Sequence, residues 1–278
     1  MDREAYKKAE MQEKTNNLKQ ILSFLKEYPC RDRDVIDVDI FDNGCEPTGM
    51  QLSLLAEHTT GRVVGTNIFE GFPEDTVEHN RPNTEFYYMD GQNLYFLDNS
   101  FDVVMSFNVL EHVPSPAKYL KECYRVLRSG GFGFFSWQPI WSSANGHHMH
   151  PGMVEKEVKK LGITPPPNYL LDGTTIPFWG HLLLTSDEMY SLLVNDKKYV
   201  PRLVEWMVNY IYKKERINRC FWQDFLSAFN EIPWKILEIK EHKNQKKMSQ
   251  DILKQLILKY KFATGYQTNG ATIIVQKP

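Results

Sequence analysis

The stretch Val35-Ile-Asp-Val-Asp-Ile-Phe-Asp42 alternates apolar and acidic residues and runs directly into Gly44-Cys-Glu-Pro-Thr-Gly49. Alternation with a period of two is typical of a β-strand, and the glycines that follow predict a turn. Residues 50–58 then show helical spacing. The stretch therefore predicts a strand, a glycine loop and a helix, an arrangement in which the backbone can approach a ligand and the helix offers free N–H groups.

The segments that follow repeat this rhythm. Ser115 and Pro116 are suited to the N-cap and first position of a helix, which Ser129-Gly130-Gly131 is expected to end. Six further strands are predicted over residues 62–67, 84–90, 101–108, 132–138, 234–240 and 271–276, with a helix over 249–260. Strands alternating with helices predict an α/β fold with a doubly wound, mostly parallel, Rossmann-like sheet, whose ligands bind at the carboxyl ends of the strands.

The rhythm breaks after the fifth strand, which predicts a helical insertion. Its segments Thr164-Pro-Pro-Pro-Asn168 and Ile176-Pro-Phe-Trp-Gly180 predict loops, and helices are predicted over 186–194, 200–212 and 221–229. An opening helix is predicted over 6–28. We therefore expect an N-terminal helical cap (1–30), a core (31–140 and 233–278) and an insertion (141–232) that forms a lid over the bound acceptor.

Composition places the chain among folded globular proteins. Of its 278 residues, 42 % are hydrophobic, 13 % aromatic and 24 % charged, which is too apolar for a disordered chain. The net charge of −2 supplies no overall basic field for nucleic acid or membrane, so only local patches can bind anions. The four cysteines stand singly, which argues against disulfide or zinc frameworks, and no apolar run is long enough to span a membrane. We expect a cytoplasmic protein.

The glycine loop indicates which cofactor the fold does not bind. A dinucleotide-binding enzyme is expected to show G-x-G-x-x-G, followed about twenty positions later by an acidic residue. Here the glycines are Gly44 and Gly49, and the second strand ends in Asn67. A nicotinamide cofactor is therefore disfavoured.

Four motifs in a fixed order carry a resemblance to a known family. They are Phe41-Asp-Asn-Gly-Cys-Glu-Pro-Thr-Gly49, Met89-Asp-Gly-Gln92, Phe101-Asp-Val-Val-Met-Ser-Phe-Asn-Val-Leu-Glu-His-Val113 and Leu120-Lys-Glu-Cys-Tyr-Arg-Val-Leu-Arg-Ser-Gly-Gly131. The first is similar to the motif D-x-G-C-G-x-G, and the last two are the most specific. In this order the motifs resemble those of the class I S-adenosylmethionine-dependent methyltransferases, over residues 34–140 and more faintly near the end of the chain.

The resemblance implies S-adenosylmethionine as the cofactor and transfer of its methyl group to a nucleophile. The cofactor-binding positions that it implies are Asp42, Gly44, Cys45, Gly49, Asn67, Ile68, Asp90, Gly91, Asn108 and His112. The first four surround the amino-acid end of the cofactor, and the next four meet its ribose and adenine. The ninth contacts the methionine part through its backbone, and the histidine lies beside the cofactor.

Two positions depart from the family's pattern. Glu46 replaces the central glycine of the first motif, in a loop one residue longer. Asn67 replaces an acidic residue that clamps the ribose, and an amide brings no charge to strengthen that hydrogen bond. Glu70 is a candidate substitute. These departures leave open a catalytically silent protein that uses the fold as a binding platform.

The stretch Gly146-His-His-Met-His150 follows the fifth strand, on the rim where the resemblance places the methyl acceptor. A hydroxyl acceptor must lose a proton, and histidine is the side chain best suited to take it near neutral pH. We expect His148 or His147 to be this catalytic base, although a lone histidine is more often a surface or hydrogen-bonded residue. No metal is expected, because adjacent side chains seldom converge on one ion and the tract holds no carboxylate.

Aromatic and basic residues of the insertion are candidates for binding the acceptor. They are Trp141, His150, His181, Arg216 and Arg219. Guanidinium groups pair with phosphate or carboxylate in a forked geometry, and a solvated helix face is the alternative for the basic residues.

A second and weaker resemblance concerns the substrate. Trp141-Ser-Ser-x-x-Gly-His-His, Trp179-Gly-His-Leu-Leu-Leu-Thr and Ile217-Asn-Arg look like segments of bacterial methyltransferases associated with surface-glycan genes. This implies O-methylation of a sugar, carried on a nucleotide or phosphate. We expect a small-molecule acceptor, no nucleic acid, and a monomer or homodimer. Methylation of a carboxylate or amine, which needs no general base, stays open.

Overall fold

The computed structural model describes residues 3–31, 36–163, 173 and 175–278. The predicted loop at 164–168 and the first residue of the predicted first strand, Val35, lie outside these residues. Within the described part of the chain, no helix combines the length and apolar character needed to cross a bilayer.

A seven-stranded sheet in the order β3-β2-β1-β4-β5-β7-β6 forms the centre of the fold. The strands are β1 (Ile40–Asn43), β2 (Val63–Asn67), β3 (Thr84–Tyr88), β4 (Phe101–Phe107), β5 (Leu127–Trp137), β6 (Lys235–Lys243) and β7 (Thr268–Gln276). β1 to β5 pair in parallel, and β7 is antiparallel to both β5 and β6. The predicted α/β class is confirmed, with one antiparallel strand near an edge. All strands except β7 end at the same edge of the sheet, which we call the carboxyl edge.

Nine α-helices accompany the sheet in the described residues. They are α1 (Arg3–Glu27), α2 (Met50–Ala56), α3 (Pro116–Val126), α4 (Pro151–Leu161), α5 (Gly180–Leu183), α6 (Ser186–Ser191), α7 (Pro201–Tyr212), α8 (Trp222–Asn230) and α9 (Gln250–Lys259). A 3₁₀-helix spans Glu74–His79, and a π-turn, Leu192–Asp196, continues α6. The predicted start of α3 is confirmed: Ser115 Oγ accepts a hydrogen bond from the Lys118 N–H, and Pro116 occupies the first turn.

Two strands begin elsewhere than the sequence pattern predicts. β1 starts at Ile40 rather than at residue 35. Among the described residues before it, Ile36 forms only an isolated bridge to Thr59, and the side chain of Asp39 accepts hydrogen bonds from the Arg62 N–H and the Arg128 guanidinium. β5 starts at Leu127 rather than at 132, because α3 passes directly into an extended backbone. Gly130, with φ +80°, lies inside an irregular stretch of β5 and does not end the helix.

Both faces of the sheet are covered. On one face, α3 and α8 pack on Phe41, Phe135 and Trp137, with the Trp137 and Phe229 rings stacked at a centroid distance of 5.6 Å. On the other face, α1 and α2 pack on strand residues such as Ile40. A third cluster joins α4 to α7 with α9. Thus α8 covers the sheet although it falls within the predicted insertion, α9 packs with the insertion, and the domain boundaries stay a prediction.

Phe229→Ala tests the assignment of α8 to the core. Removing a fully buried ring leaves a cavity against the sheet, and we expect the free energy of unfolding to fall by about 3–5 kcal/mol in urea denaturation. The matched control is Phe262→Ala, which removes a ring that is 93 % exposed and should change stability by less than about 0.5 kcal/mol. Equal losses in the two variants would contradict the assignment.

Candidate functional site

The buried amide of Asn43 joins the ends of three strands at the carboxyl edge. Its Nδ2 donates to the Gly91 carbonyl at 3.1 Å and to Cys123 Sγ at 3.3 Å, and its Oδ1 accepts from Thr66 Oγ1 at 3.2 Å. The Tyr119 hydroxyl donates to the Asn43 carbonyl. A Cβ at Gly91 would lie 2.4 Å from Asn43 Oδ1, so only glycine permits this approach. Sequence reasoning missed Asn43 because it occupies the variable position of the first motif.

The glycine loop after β1 follows the edge with a left-handed backbone at both ends. Gly44 has φ +87° and Gly49 has φ +72°. A Cβ at Gly44 would lie 2.6 Å from a methyl of Val109, so the loop passes close to the turn after β4. Glu46, which replaces a glycine of the family motif, turns back and accepts hydrogen bonds from Thr48 Oγ1 and, at 3.1 Å, the Met50 N–H. The replacement therefore caps the start of α2.

Asp42 is a buried carboxyl group at the end of β1. It is 2 % exposed, and its Oδ1 has no hydrogen-bond partner among the described residues. Burial, and to a lesser extent the Glu46 carboxylate, raises the pKa of Asp42 to about 8. A cationic group of a ligand would offset this cost and favour the ionised form.

The two loops that follow β1 and β2 are tied together by Asn67. Its Oδ1 accepts from the N–H groups of Ile68 and Phe69 at 2.6 and 3.0 Å, and its Nδ2 donates to the Cys45 carbonyl. The amide expected to meet a ribose is thus engaged with the protein itself. Ile68 and Phe69 expose more than half of their side chains beside it, and Glu70 is also exposed.

Of the other predicted cofactor positions, Cys45 points away from the edge. Its thiol is buried beneath β2, where a Cβ at Gly65 would lie 2.6 Å from Sγ, and burial raises its pKa well above the usual value. Asp90 is exposed after β3, and its Oδ1 accepts from the Gln92 N–H at 2.9 Å. Asn108 is exposed after β4 with φ +52°, and its N–H donates to the Ser136 carbonyl.

Four imidazoles form a cluster beyond the ends of β4 and β5, which we call the histidine cluster: His112, His147, His148 and His181. The rings of His112 and His148 meet edge to face at 5.0 Å, and those of His147 and His181 at 5.6 Å. Burial is the largest cause that lowers the pKa of each member. The His181 charge further disfavours protonation of His147 and His148. The cluster is therefore neutral at pH 7.

The hydrogen bonds of His148 fix its tautomer. The Pro139 carbonyl accepts from the ring, while Nε2 is buried and has no partner among the described residues. Nδ1 therefore carries the proton and Nε2 presents a lone pair. Burial lowers the pKa of His148 to about 3, and its backbone has φ +53°. The adjacent His112 has a partly exposed ring and donates from Nδ1 to the Arg216 carbonyl at 2.6 Å.

His147 and His181 differ in the ring nitrogen that makes the hydrogen bond to the backbone, Nδ1 in His147 and Nε2 in His181. His147 Nδ1 accepts from the Met149 N–H at 3.0 Å, so its proton resides on Nε2. His181 Nε2 donates to the Trp141 carbonyl at 2.7 Å, which leaves a buried lone pair on Nδ1, and burial lowers the pKa of His181 to about 4. The Trp141 ring packs on His181 at 4.6 Å. By contrast, His150 is exposed at the start of α4.

The two predicted arginines occupy different environments. The Arg219 guanidinium donates to the carbonyls of Ile211 and Lys214, at 3.2 and 2.8 Å, and lies 5.7 Å from the centre of the Trp141 ring. Arg219 therefore caps the carboxyl end of α7 by satisfying backbone carbonyls there. Arg216 is exposed, and its charge lies close enough to His112 to help lower the pKa of that imidazole.

Glu111 is a site residue that sequence reasoning missed. It is 1 % exposed, and burial raises its pKa to about 8, although the backbone N–H groups of Glu111 and Gln138 oppose the shift. Neither carboxyl oxygen has a hydrogen bond of normal geometry to a described residue. Asn218 holds the surrounding turn by donating from Nδ2 to the carbonyls of Leu110 and Val113, at 2.6 and 2.9 Å. Glu111 lies in the motif Leu110-Glu-His-Val113, which pointed to this turn. Only the histidine of the motif was selected as a site residue, because acidic residues are seldom buried.

Further buried polar groups line the start of the insertion. The hydroxyls of Ser142 and Ser143 and the Oδ1 of Asn145 are buried without a hydrogen-bond partner among the described residues. Buried polar atoms of this kind call for a ligand or water. No group of three or more His, Cys, Asp or Glu side chains in the described ranges is arranged to hold a metal ion.

Comparison with known proteins shows what the central part of the chain is similar to. Residues 41–135 match the model of a family described as "Methyltransferase domain". A protein of Mycolicibacterium smegmatis named as a probable S-adenosylmethionine-dependent methyltransferase is 35 % identical over 105 residues, which are 37 % of each chain. The chain thus aligns with little more than a third of that relative's length.

Solved structures share the fold at low sequence identity. An S-adenosylmethionine-dependent methyltransferase from Mesorhizobium loti aligns with a TM-score of 0.53 and 15 % identity, over 88 % of this chain and 93 % of its own. Geranyl diphosphate C-methyltransferase from Streptomyces coelicolor aligns with a TM-score of 0.50 and 11 % identity, over 92 % and 76 %. The matched domain holds the glycine loop, the Asn43 contacts and the turn after β4. Over residues 41–135 the chain therefore matches a methyltransferase domain, and in this part it is similar to a protein named as an S-adenosylmethionine-dependent methyltransferase.

Proposed function

We propose that the protein is an enzyme that transfers a methyl group to a hydroxyl of a small polar acceptor. The observation that carries this proposal is His148, a neutral imidazole whose Nε2 lone pair has no partner among the described residues, at the carboxyl edge of a methyltransferase sheet. The cytoplasm is the compartment that we expect for it.

The residues at the edge fit the cofactor. S-adenosylmethionine carries a positive ammonium group, and Asp42 supplies a buried carboxyl group without a partner on Oδ1 among the described residues. Gly44 and Gly91 keep the backbone free of side chains where it must approach a ligand. Asp90 and Ile68 remain candidates for the adenine end, and Asn108 and Gly49 for the methionine end. When bound, the cofactor supplies an electrophilic methyl group.

A hydroxyl must give up its proton as it attacks a methyl group, and His148 is suited to accept it. The low pKa keeps the imidazole neutral at pH 7, and the Pro139 carbonyl holds its proton on Nδ1. Nε2 is therefore always in the accepting form. A pKa of about 3 makes His148 a weak base, so we expect it to take the proton late in the transfer, when the oxygen has gained the methyl group and become strongly acidic. The exposed His112 ring lies beside it, at 5.0 Å between centroids.

The polar lining supports a hydroxyl-rich acceptor. Ser142, Ser143 and Asn145 supply buried hydrogen-bonding groups, and Trp141 supplies a ring surface. Arg216 places a positive charge at the rim, where a phosphate of the acceptor would meet it. We propose a sugar or phosphorylated sugar of bacterial surface-glycan biosynthesis. The name of the Streptomyces neighbour indicates that it methylates a carbon atom, so the proposed hydroxyl acceptor is not inferred from the similarity to that protein.

One observation favours a second candidate, a binding subunit without catalysis. The amide of Asn67 is engaged by Cys45, Ile68 and Phe69 instead of being free for a ribose. If this candidate were correct, the purified protein would bind neither S-adenosylmethionine nor S-adenosylhomocysteine at millimolar concentration and would copurify with a partner chain.

Cofactor binding should release a proton from Asp42. With a pKa of about 8 the carboxyl is protonated in the free protein at pH 7, and a bound ammonium group favours its ionised form. Calorimetry in buffers of different ionisation enthalpy should therefore detect release of about one proton on binding.

Asp42→Asn should abolish this proton release and weaken binding by about tenfold or more, the size expected for a charge-assisted hydrogen bond. The matched control, Glu111→Gln, removes the other buried carboxyl of raised pKa and should leave the release unchanged. Undiminished release from Asp42→Asn would contradict the assignment.

The role of His148 is tested by His148→Ala on a panel of sugars, sugar phosphates, carboxylic acids and amines with labelled S-adenosylmethionine. We expect transfer to a hydroxyl, with kcat lowered by about 10²–10⁴ and cofactor affinity unchanged. His58→Ala, at an exposed position just after α2, is the control and should keep full turnover. His147→Ala separates the two predicted bases. Full turnover by His148→Ala, or transfer only to amines or carboxylates, would refute the base.

A further inference from the structure

Helix α9 lies at the same edge of the sheet as the site. Because β7 is antiparallel to both β5 and β6, the end of β6 at Lys243 and the end of β5 at Trp137 meet at the carboxyl edge. α9 belongs to the connection between β6 and β7, and that connection starts at this edge. α9 therefore lies at the end of the molecule that carries the site.

The inner face of α9 is fixed to the insertion. Leu256 is fully buried in the third hydrophobic cluster. Lys259 Nζ donates to the Leu183 carbonyl at 2.9 Å, and the Tyr260 hydroxyl donates to the Leu182 carbonyl at 2.9 Å. The opposite face of the helix is consequently held in a defined orientation.

That outer face carries large apolar side chains in contact with water. Ile257 is exposed, Leu258 is 76 % exposed, and Phe262, just after the helix, is 93 % exposed. Leu258 lies in the last turn of α9, and Phe262 lies in the turn that follows, where the Ala263 N–H donates to the Tyr260 carbonyl at 3.0 Å. Apolar residues this exposed and grouped in one short segment mark an interaction surface more often than a chance feature of a soluble protein.

The same segment is strongly basic. Residues 240–261 contain seven lysines and two acidic residues, Glu241 and Asp251, in a chain whose net charge is −2. Glu241 is already engaged by Lys243 and Thr268. Lys254 lies about one helical turn before Leu258, Lys261 directly precedes Phe262, and neither lysine forms an ion pair with a described residue. The positive charge of this segment is therefore local and largely unneutralised.

We propose that Lys254, Leu258, Lys261 and Phe262, the α9 surface, dock the protein on an anionic lipid bilayer. Apolar side chains enter the boundary between headgroups and acyl chains, and lysines bind the lipid phosphates. A stable protein interface buries about 800 Å² on each partner, for which a few protruding side chains are too small. A bilayer needs no complementary groove. The inference stands independently of the proposed methyl transfer.

Vesicle cosedimentation of the full chain tests the proposal. We expect binding to phosphatidylcholine vesicles that contain about one-third phosphatidylglycerol, none to phosphatidylcholine alone, and weaker binding as salt screens the lysines. Leu258→Ser/Phe262→Ser and Lys254→Glu/Lys261→Glu should each lower the partition coefficient by about tenfold or more. Because these side chains are exposed, the thermal midpoint of each variant should match that of the wild type.

The matched control is Leu97→Ser/Lys235→Glu, which removes an exposed leucine and a lysine near the opposite edge of the sheet. It should bind the vesicles as the wild type does. The proposal is overturned if the wild type does not bind anionic vesicles, or if the control loses as much binding as the α9 variants. A dimer that Leu258→Ser/Phe262→Ser dissociates, with no vesicle binding, would assign the surface to a second copy of the chain.

Discussion

The carboxyl edge depends on one buried side chain, the amide of Asn43. The ends of β1 and β2 and the loop after β3 come together there, and burial would leave their polar groups without partners. The amide donates to the Gly91 carbonyl and to Cys123 Sγ and accepts from Thr66 Oγ1, so a single residue joins β2, the loop after β3 and α3. In a low-dielectric interior, each polar group of such a network that lost its partner would lower the stability of the fold. The glycine loop and the loop after β3 therefore hold one relative position, which a cofactor that spans both requires.

Most of the fold could be predicted because its signals are local. Alternation, apolar runs and the Ser115-Pro116 cap gave the strands and α3, and parallel order followed from their alternation with helices. The starts of β1 and β5 were misplaced because pairing with distant segments sets them. Leu127 already pairs with Phe101 of β4, and before Ile40 the described residue Ile36 forms only an isolated bridge, to Thr59. No local pattern contains these pairings.

The site was harder to predict because it depends on burial and on hydrogen bonds to the backbone. A histidine tract after β5 pointed to the right edge, yet the tautomer of His148 is set by the Pro139 carbonyl and its low pKa by burial. Glu111 was passed over for the same reason, since nothing in a sequence marks a carboxyl as buried. The histidine tract therefore contributes neutral hydrogen-bond donors and acceptors whose directions are fixed by the surrounding backbone. Those directions, rather than the number of histidines, determine which ring nitrogen can accept a proton.

Asn218 fastens the insertion to the turn after β4, shortly before the chain returns to the sheet at α8. The insertion is therefore fixed to the core at both ends, at the end of β5 and at Asn218. Changing the length of a segment that is fixed at both ends costs little conformational entropy, because the entropy of loop closure grows only with the logarithm of loop length. Segments between the two attachment points can therefore change in length at little cost while the core stays intact, so an acceptor site of the kind proposed for the insertion can be altered without a new fold.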